Sequence, residues 1–136
     1  MSAPRNTTLA LPPDRTPKAA AYVRLALAAA REALAADPAF HPDLSFMSHA
    51  AGVTPRTLQR HVAQVLHMAP RAVVERLRLN AARQTLASGK ACSVLDVAAR
   101  HGFEHAGRFA IRYAAAFDEA PSATLRRARA RDATER

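Results

Sequence analysis

The sequence predicts an all-α fold in which two helix-turn-helix lobes are joined by a long central helix, about seven helices in all. Three observations carry that prediction. The chain holds only four Gly in 136 residues and draws much of its 49% hydrophobic content from alanine, the strongest helix former. Apolar residues recur three and four apart, and no run alternates as a half-buried strand would. A helix, a glycine turn and a second helix occur twice, with Gly52 and Gly102 at matched places 50 residues apart.

The elements follow in order. Residues 1–16 are broken by Pro4, Pro12 and Pro13, keep no period and are expected to form a flexible arm. Pro17 opens a helix to about Ala36 that presents Val23, Leu27, Ala30 and Leu34 inward and stops at Asp37-Pro38. Asp43 caps a short helix, Leu44 to Ala51, whose inward residues are Leu44, Met47, Ser48 and Ala51. After Gly52, Thr54 caps a helix from Pro55 to about Leu66, with Leu58, Val62 and Val65 buried.

Pro70 begins the longest central helix, a linker over about 71–87 closed by Ser88-Gly89-Lys90. Ser93 caps Val94–Arg100, His101-Gly102 interrupts, and a helix runs from about His105 to Phe117. Pro121 starts a last short helix that is expected to fray into RRARARDATER, leaving a basic tail over 128–136. The domain is therefore expected over 17–127, with its two helix-turn-helix units at 44–66 and 94–117.

Composition removes several function classes. The length suits one domain, or two small lobes sharing a helix. No window approaches the roughly 20 apolar residues of a membrane span, and the polar, Pro-broken opening is unlike a secretory signal. A lone Cys92 excludes a disulfide framework and a Cys-rich zinc site, fits a reducing cytoplasm, and reads as a plain buried or half-buried thiol. Twenty basic residues, eighteen of them Arg, face eleven acidic ones for a formal charge of +9. Residues 71–90 hold Arg71, Arg76, Arg78, Arg83 and Lys90 against Glu75 alone, so a polyanion is the expected large partner.

The doubled motif gives that partner a place to bind. The copies read LSFMSHAAGVTPRTLQRHV and VLDVAARHGFEHAGRFAIRY, pairing Met47 with Val97, Ser48 with Ala98 and Val53 with Phe103. Leu58 pairs with Arg108 or with Phe109, according to a one-residue offset in the second helix. A helix-turn-helix lays its second helix in the major groove of duplex DNA, where each base pair shows its own donors and acceptors. In the first copy Arg56, Thr57, Gln59, Arg60 and Gln64 project once Leu58 and Val62 turn inward. Arg suits guanine and Gln suits adenine. The linker, roughly 25 Å long, would set the two recognition helices near one helical repeat of DNA, roughly 34 Å.

These motifs carry a family resemblance. From about Val23 to Arg127 the chain resembles the DNA-binding domain of AraC/XylS-type bacterial transcription regulators. The likeness runs through TPRTLQR, PRAVVERLRLNAARQTLASG, SVLDVAARHGF and the F-x-x-x-P signature of Phe117 to Pro121. It implies two helix-turn-helix lobes on a long helix, no cofactor, and recognition of double-stranded promoter DNA. It aligns Arg56, Gln59 and Arg60 with base-facing and backbone-facing positions, while Thr57 and Gln64 would contact phosphates.

The chain departs from the family pattern in the second recognition helix, where two usually polar slots hold Gly107 and Ile111. Arg108 and Arg112 remain to reach phosphates, Arg108 also a base edge, so this lobe is expected to add backbone affinity more than discrimination. His67 and Asp118 replace the family's usual Gly after each recognition helix, and both tolerate left-handed geometry. The family typically carries a further effector or dimerisation domain, and none fits in residues 1–22.

Met47, Leu58, Val62, Leu77, Leu86, Val97, Phe103, Phe109 and Tyr113 are core by spacing. Six His suggest no metal, since His101 and His105 are separated by Gly102 and nothing completes a site; His61 reads as a surface residue. The carboxylates show no catalytic pairing, so no enzyme is expected. RRARAR fits sequence-blind DNA contact and simple solubility equally. The alternative to a DNA reader is a helical module that binds RNA polymerase or another regulator.

Overall fold

The computed structural model describes residues 17–135, which form seven helices and, among the described residues, no strand. The arm expected over residues 1–16 lies outside them. The helices are α1 (Pro17–Ala36), α2 (Leu44–Ala51), α3 (Pro55–Leu66), α4 (Pro70–Ala87), α5 (Val94–Arg100), α6 (Ala106–Phe117) and α7 (Pro121–Glu135). They form two compact units divided within α4, between Leu77 and Arg78. This is the predicted all-α, two-lobed class.

In the N-terminal unit α1 packs on both α2 and α3. Val23, Leu27, Ala30 and Leu34 of α1 meet Met47 and Ala51 of α2, Leu58, Val62 and Val65 of α3, and Val73 and Leu77 of α4 in an aliphatic core. Leu44 is only half-buried against it. The C-terminal unit is built on rings instead. Phe103, Phe109, Tyr113 and Phe117 follow one another with centroids 4.7, 5.7 and 4.7 Å apart, in the range aromatic pairs prefer. Leu79, Ala82 and Leu86 of α4, Val97 of α5 and Leu125 of α7 complete that core. Phe103, expected in the core, is half-buried: it packs against that core from its edge, and the Arg78 guanidinium lies over its ring, 4.4 Å from the centroid.

The last helix is longer than the sequence suggests: α7 does not fray after Arg127 but continues to Glu135. Two interactions hold it. Leu125 and Ala128 are buried one turn apart, and arginines beyond them are anchored at backbone carbonyls. Arg129 Nη2 donates to the carbonyls of Ala91 (2.9 Å) and Cys92 (2.6 Å), and Arg131 Nη2 to that of Ala87 (3.2 Å). RRARAR thus includes structural residues rather than only a solvated tail. Cys92, expected buried or half-buried, is exposed.

A polar network closes the F-x-x-x-P corner, where Phe117 and Pro121 are both buried. Tyr113 and Thr124 share a hydroxyl hydrogen bond of 2.7 Å, the Thr124 hydroxyl donates to Glu119, and Arg127 donates twice to the same carboxylate at 2.8 and 2.9 Å. The Arg127 hydrogen bonds, and secondarily Thr124, hold the Glu119 carboxyl down at about 2, while burial pushes the Tyr113 phenol up.

Gly89 stands at φ +74°, and a Cβ there would lie 3.2 Å from the Ala128 carbonyl oxygen, whereas Gly52 at φ +75° faces open space. Gly52→Ala should lower unfolding stability by about 1 kcal/mol, the cost of left-handed backbone, and Gly89→Ala by more; urea unfolding measures both. Because the folded Glu119 carboxyl titrates below its ordinary value, its stabilisation is present above about pH 4.5 and is lost as pH falls toward 2. Glu119→Gln should therefore be less stable than the parent at pH 7, by about 1 kcal/mol for a screened pair, with the gap closing near pH 2 in parallel melts.

Candidate nucleic-acid interface

The two turns are the same object built twice. Gly52 has φ +75°, its N–H donates to His49 O (3.2 Å), and Val53 N–H donates to Ser48 O (3.1 Å). Gly102 has φ +75°, its N–H donates to Ala99 O (3.1 Å), and Phe103 N–H donates to Ala98 O (2.9 Å). This is a Schellman closure, which needs a residue that enters the left-handed region freely. Ser48 and Ala98 are buried and small, which leaves room for the following helix of each unit to approach.

Beyond the turn the match shifts by one residue. Thr54 caps α3 and His105 caps α6; Leu58 N–H donates to Thr54 O, and Phe109 N–H to His105 O. His67 at φ 55° ends α3, and Asp118 at φ 58° ends α6, each by an N–H to the carbonyl four residues back. One extra residue in the second turn therefore changes the offset from 50 to 51 and pairs Leu58 with Phe109, both buried. In the same register Arg56 corresponds to Gly107, Thr57 to Arg108, Arg60 to Ile111, and His61 to Arg112.

α3 turns its predicted residues outward. Leu58, Val62 and Val65 are buried, while Arg56, Gln59, Arg60 and Gln64 are exposed. Thr57 is half-buried: Thr54 Oγ1 accepts from Thr57 N–H (3.2 Å) and donates to Thr57 Oγ1 (2.9 Å). That leaves the Thr57 hydroxyl hydrogen to donate elsewhere. The first turn of α3 has Arg56 and no acidic residue, the reverse of what the helix dipole favours. Thr54 and Pro55 restore the helix start, so the local sequence keeps a cation at a place where helix stability alone would prefer an anion.

α6 likewise buries Phe109, Tyr113, Ala116 and Phe117 and exposes Arg108 and Arg112. Its cap residue His105 makes no side-chain hydrogen bond to the helix, unlike Thr54.

Several cations and histidines lie elsewhere than the sequence suggests. Arg76, Arg78 and Arg83 of α4, counted with the basic stretch over 71–90, are partly buried. Arg78 Nη2 donates to His101 O (2.9 Å) as its guanidinium covers Phe103, and Arg83 lies 4.8 Å over Phe117. His61 is stacked on Tyr22 with centroids 5.6 Å apart, so its ring serves α1–α3 packing rather than the surface. His101 is buried with Nε2 2.9 Å from Thr85 Oγ1, and burial, then Arg78 and Arg100, push its ring below the ordinary histidine value. Among the described residues no group of His, Cys, Asp or Glu could hold a metal, and no helix is long and apolar enough to cross a membrane.

Comparison with known proteins agrees with this geometry. A family model described as a helix-turn-helix domain matches residues 47–127, more than half of the chain. The chain belongs to the AraC-type helix-turn-helix family. A solved structure, a probable AraC family transcriptional regulator from Rhodopseudomonas palustris, is 28% identical with a TM-score of 0.61, over 76% of this chain and 96% of that one. An AraC-type chain with two such units is a DNA-binding transcription regulator and not an enzyme. Within this family fold the α3 cap is testable. Thr54→Ala should destabilise the N-terminal unit by about 1 kcal/mol, read as faster amide exchange in α3 with α6 unchanged.

Proposed function

We propose that the chain recognises specific duplex sequences by placing α3 and α6 in successive major-groove segments. Arg56, Gln59 and Arg60 would read or flank bases from α3. Thr57 and Gln64 would fix register on phosphates. On α6, Arg108 would reach a base edge or an adjacent phosphate, and Arg112 a phosphate. The observation that carries this reading is the outward face of α3. Two arginines and two glutamines stand exposed opposite Leu58, Val62 and Val65, and one arginine occupies a helix start whose dipole disfavours it.

The chemistry is specific in kind. Exposed Arg and Gln offer the paired hydrogen bonds that match guanine and adenine edges, while Thr57 keeps a hydroxyl hydrogen for a phosphate oxygen. Phosphate contacts supply affinity and a steep salt dependence, and base contacts supply discrimination.

An anisotropy titration of the full chain against genomic fragments at two salt concentrations tests the proposal. A subset of fragments should bind tightly, with affinity falling steeply as salt rises. Equal affinity for every fragment would refute sequence recognition. A salt-insensitive chain captured by RNA polymerase without DNA would favour the protein-interaction module. Gln59→Ala should cost about 1–3 kcal/mol on the preferred fragment and little on others.

A further inference from the structure

The second recognition helix is apolar where the first is cationic. In the register set by the Leu58–Phe109 match, the outward pair Arg56 and Arg60 is replaced by Gly107 and Ile111. Ile111 is 71% exposed, and Ala115, one turn further, is exposed as well. At about 100° per residue Ile111 points away from Phe109 and Tyr113, on one strip with Gly107 and Ala115. That strip carries no side chain able to hydrogen bond, and Arg108 and Arg112 are exposed beside it.

Gly107 adds a second, independent observation. It is not in the left-handed region, and a Cβ built there would meet nothing within 4 Å. Neither backbone conformation nor packing asks for glycine, and alanine would make a better helix. A single exposed isoleucine is ordinary on a protein surface. Here it coincides with the base-facing register, a flank of two arginines and a glycine that folding does not require.

On the edges that base pairs show in the major groove, the thymine 5-methyl is the apolar group. We propose that Ile111 reads a thymine methyl, and that the missing side chain at Gly107 lets the helix approach the base pair closely enough for that contact. The second lobe then discriminates by apolar contact instead of adding backbone affinity alone. The inference rests on the DNA-recognition reading above and names what its second helix recognises.

The test starts from a duplex selected from a random library by the full chain. Each thymine is replaced in turn by deoxyuridine, which lacks only the methyl group. One replacement, in the segment covered by the second lobe, should weaken binding about fourfold, the value of one buried methyl. Ile111→Ala should lose a similar factor on the thymine duplex and no longer distinguish thymine from deoxyuridine there. Gly107→Ala should bind more weakly while its thermal midpoint holds or rises.

Three outcomes overturn the inference. All deoxyuridine replacements are neutral on a duplex whose binding still depends on Gln59; Ile111→Ala stays as sensitive to the methyl as the parent; or Gly107→Ala binds as tightly as the parent. Failure to select any duplex would instead bring down the underlying DNA-recognition reading, and this inference with it.

Discussion

Each unit depends on one backbone closure: the hydrogen bond from Val53 to Ser48 in the first and from Phe103 to Ala98 in the second. Both require a left-handed residue immediately before, and glycine enters that region without the penalty a Cβ brings. The closure stops one helix and redirects the chain within two residues in the first unit and three in the second. It leaves Thr54 and His105 to begin α3 and α6, with Leu58 and Phe109 directed into their cores. Which residues face outward on each recognition helix follows from that start.

The charge of the chain acquires two separate roles in this arrangement. Arg56, Arg60, Arg108 and Arg112 stand exposed on the recognition helices. Arg78 and Arg83 cover Phe103 and Phe117, Arg127 closes the corner on Glu119, and Arg129 and Arg131 tie α7 to backbone carbonyls. A planar guanidinium can stack and donate in several directions at once, which a lysine ammonium does not match. The predominance of Arg over Lys therefore serves packing of the C-terminal unit as well as any contact with a polyanion. The two cores differ in kind for a related reason: an alanine-rich α1 covers the N-terminal unit, while the C-terminal unit fills its volume with four rings.

Much of this was legible in the chain itself. Cap residues Asp43, Thr54 and Ser93 and helix-starting prolines Pro17, Pro55, Pro70 and Pro121 mark helix starts by local chemistry, and α1 to α5 and α7 begin where those rules put them. The outward placement of Arg56, Gln59, Arg60 and Gln64 follows from three apolar positions at helical spacing. The single extra residue of the second turn was not resolvable, because Arg108 and Phe109 adjoin and only burial separates them. The length of α7 was hidden for another reason: its stability comes from long-range arginine contacts to residues 87–92, which no local pattern records. In α4 the step from Leu77 to Leu79 breaks the apolar period, since the helix serves a different core on each side of it. The contacts of Arg78 and Arg83 with aromatic rings leave no periodic trace in the sequence.

The central claim is that one chain engages duplex DNA through both of its repeated units. Hydroxyl-radical footprinting of the full chain on a selected duplex tests it most directly. Two separate protected patches are predicted, with the patch under α3 weakened in Arg56→Ala and the other retained. A single protected patch that disappears as a whole in that variant would contradict the account.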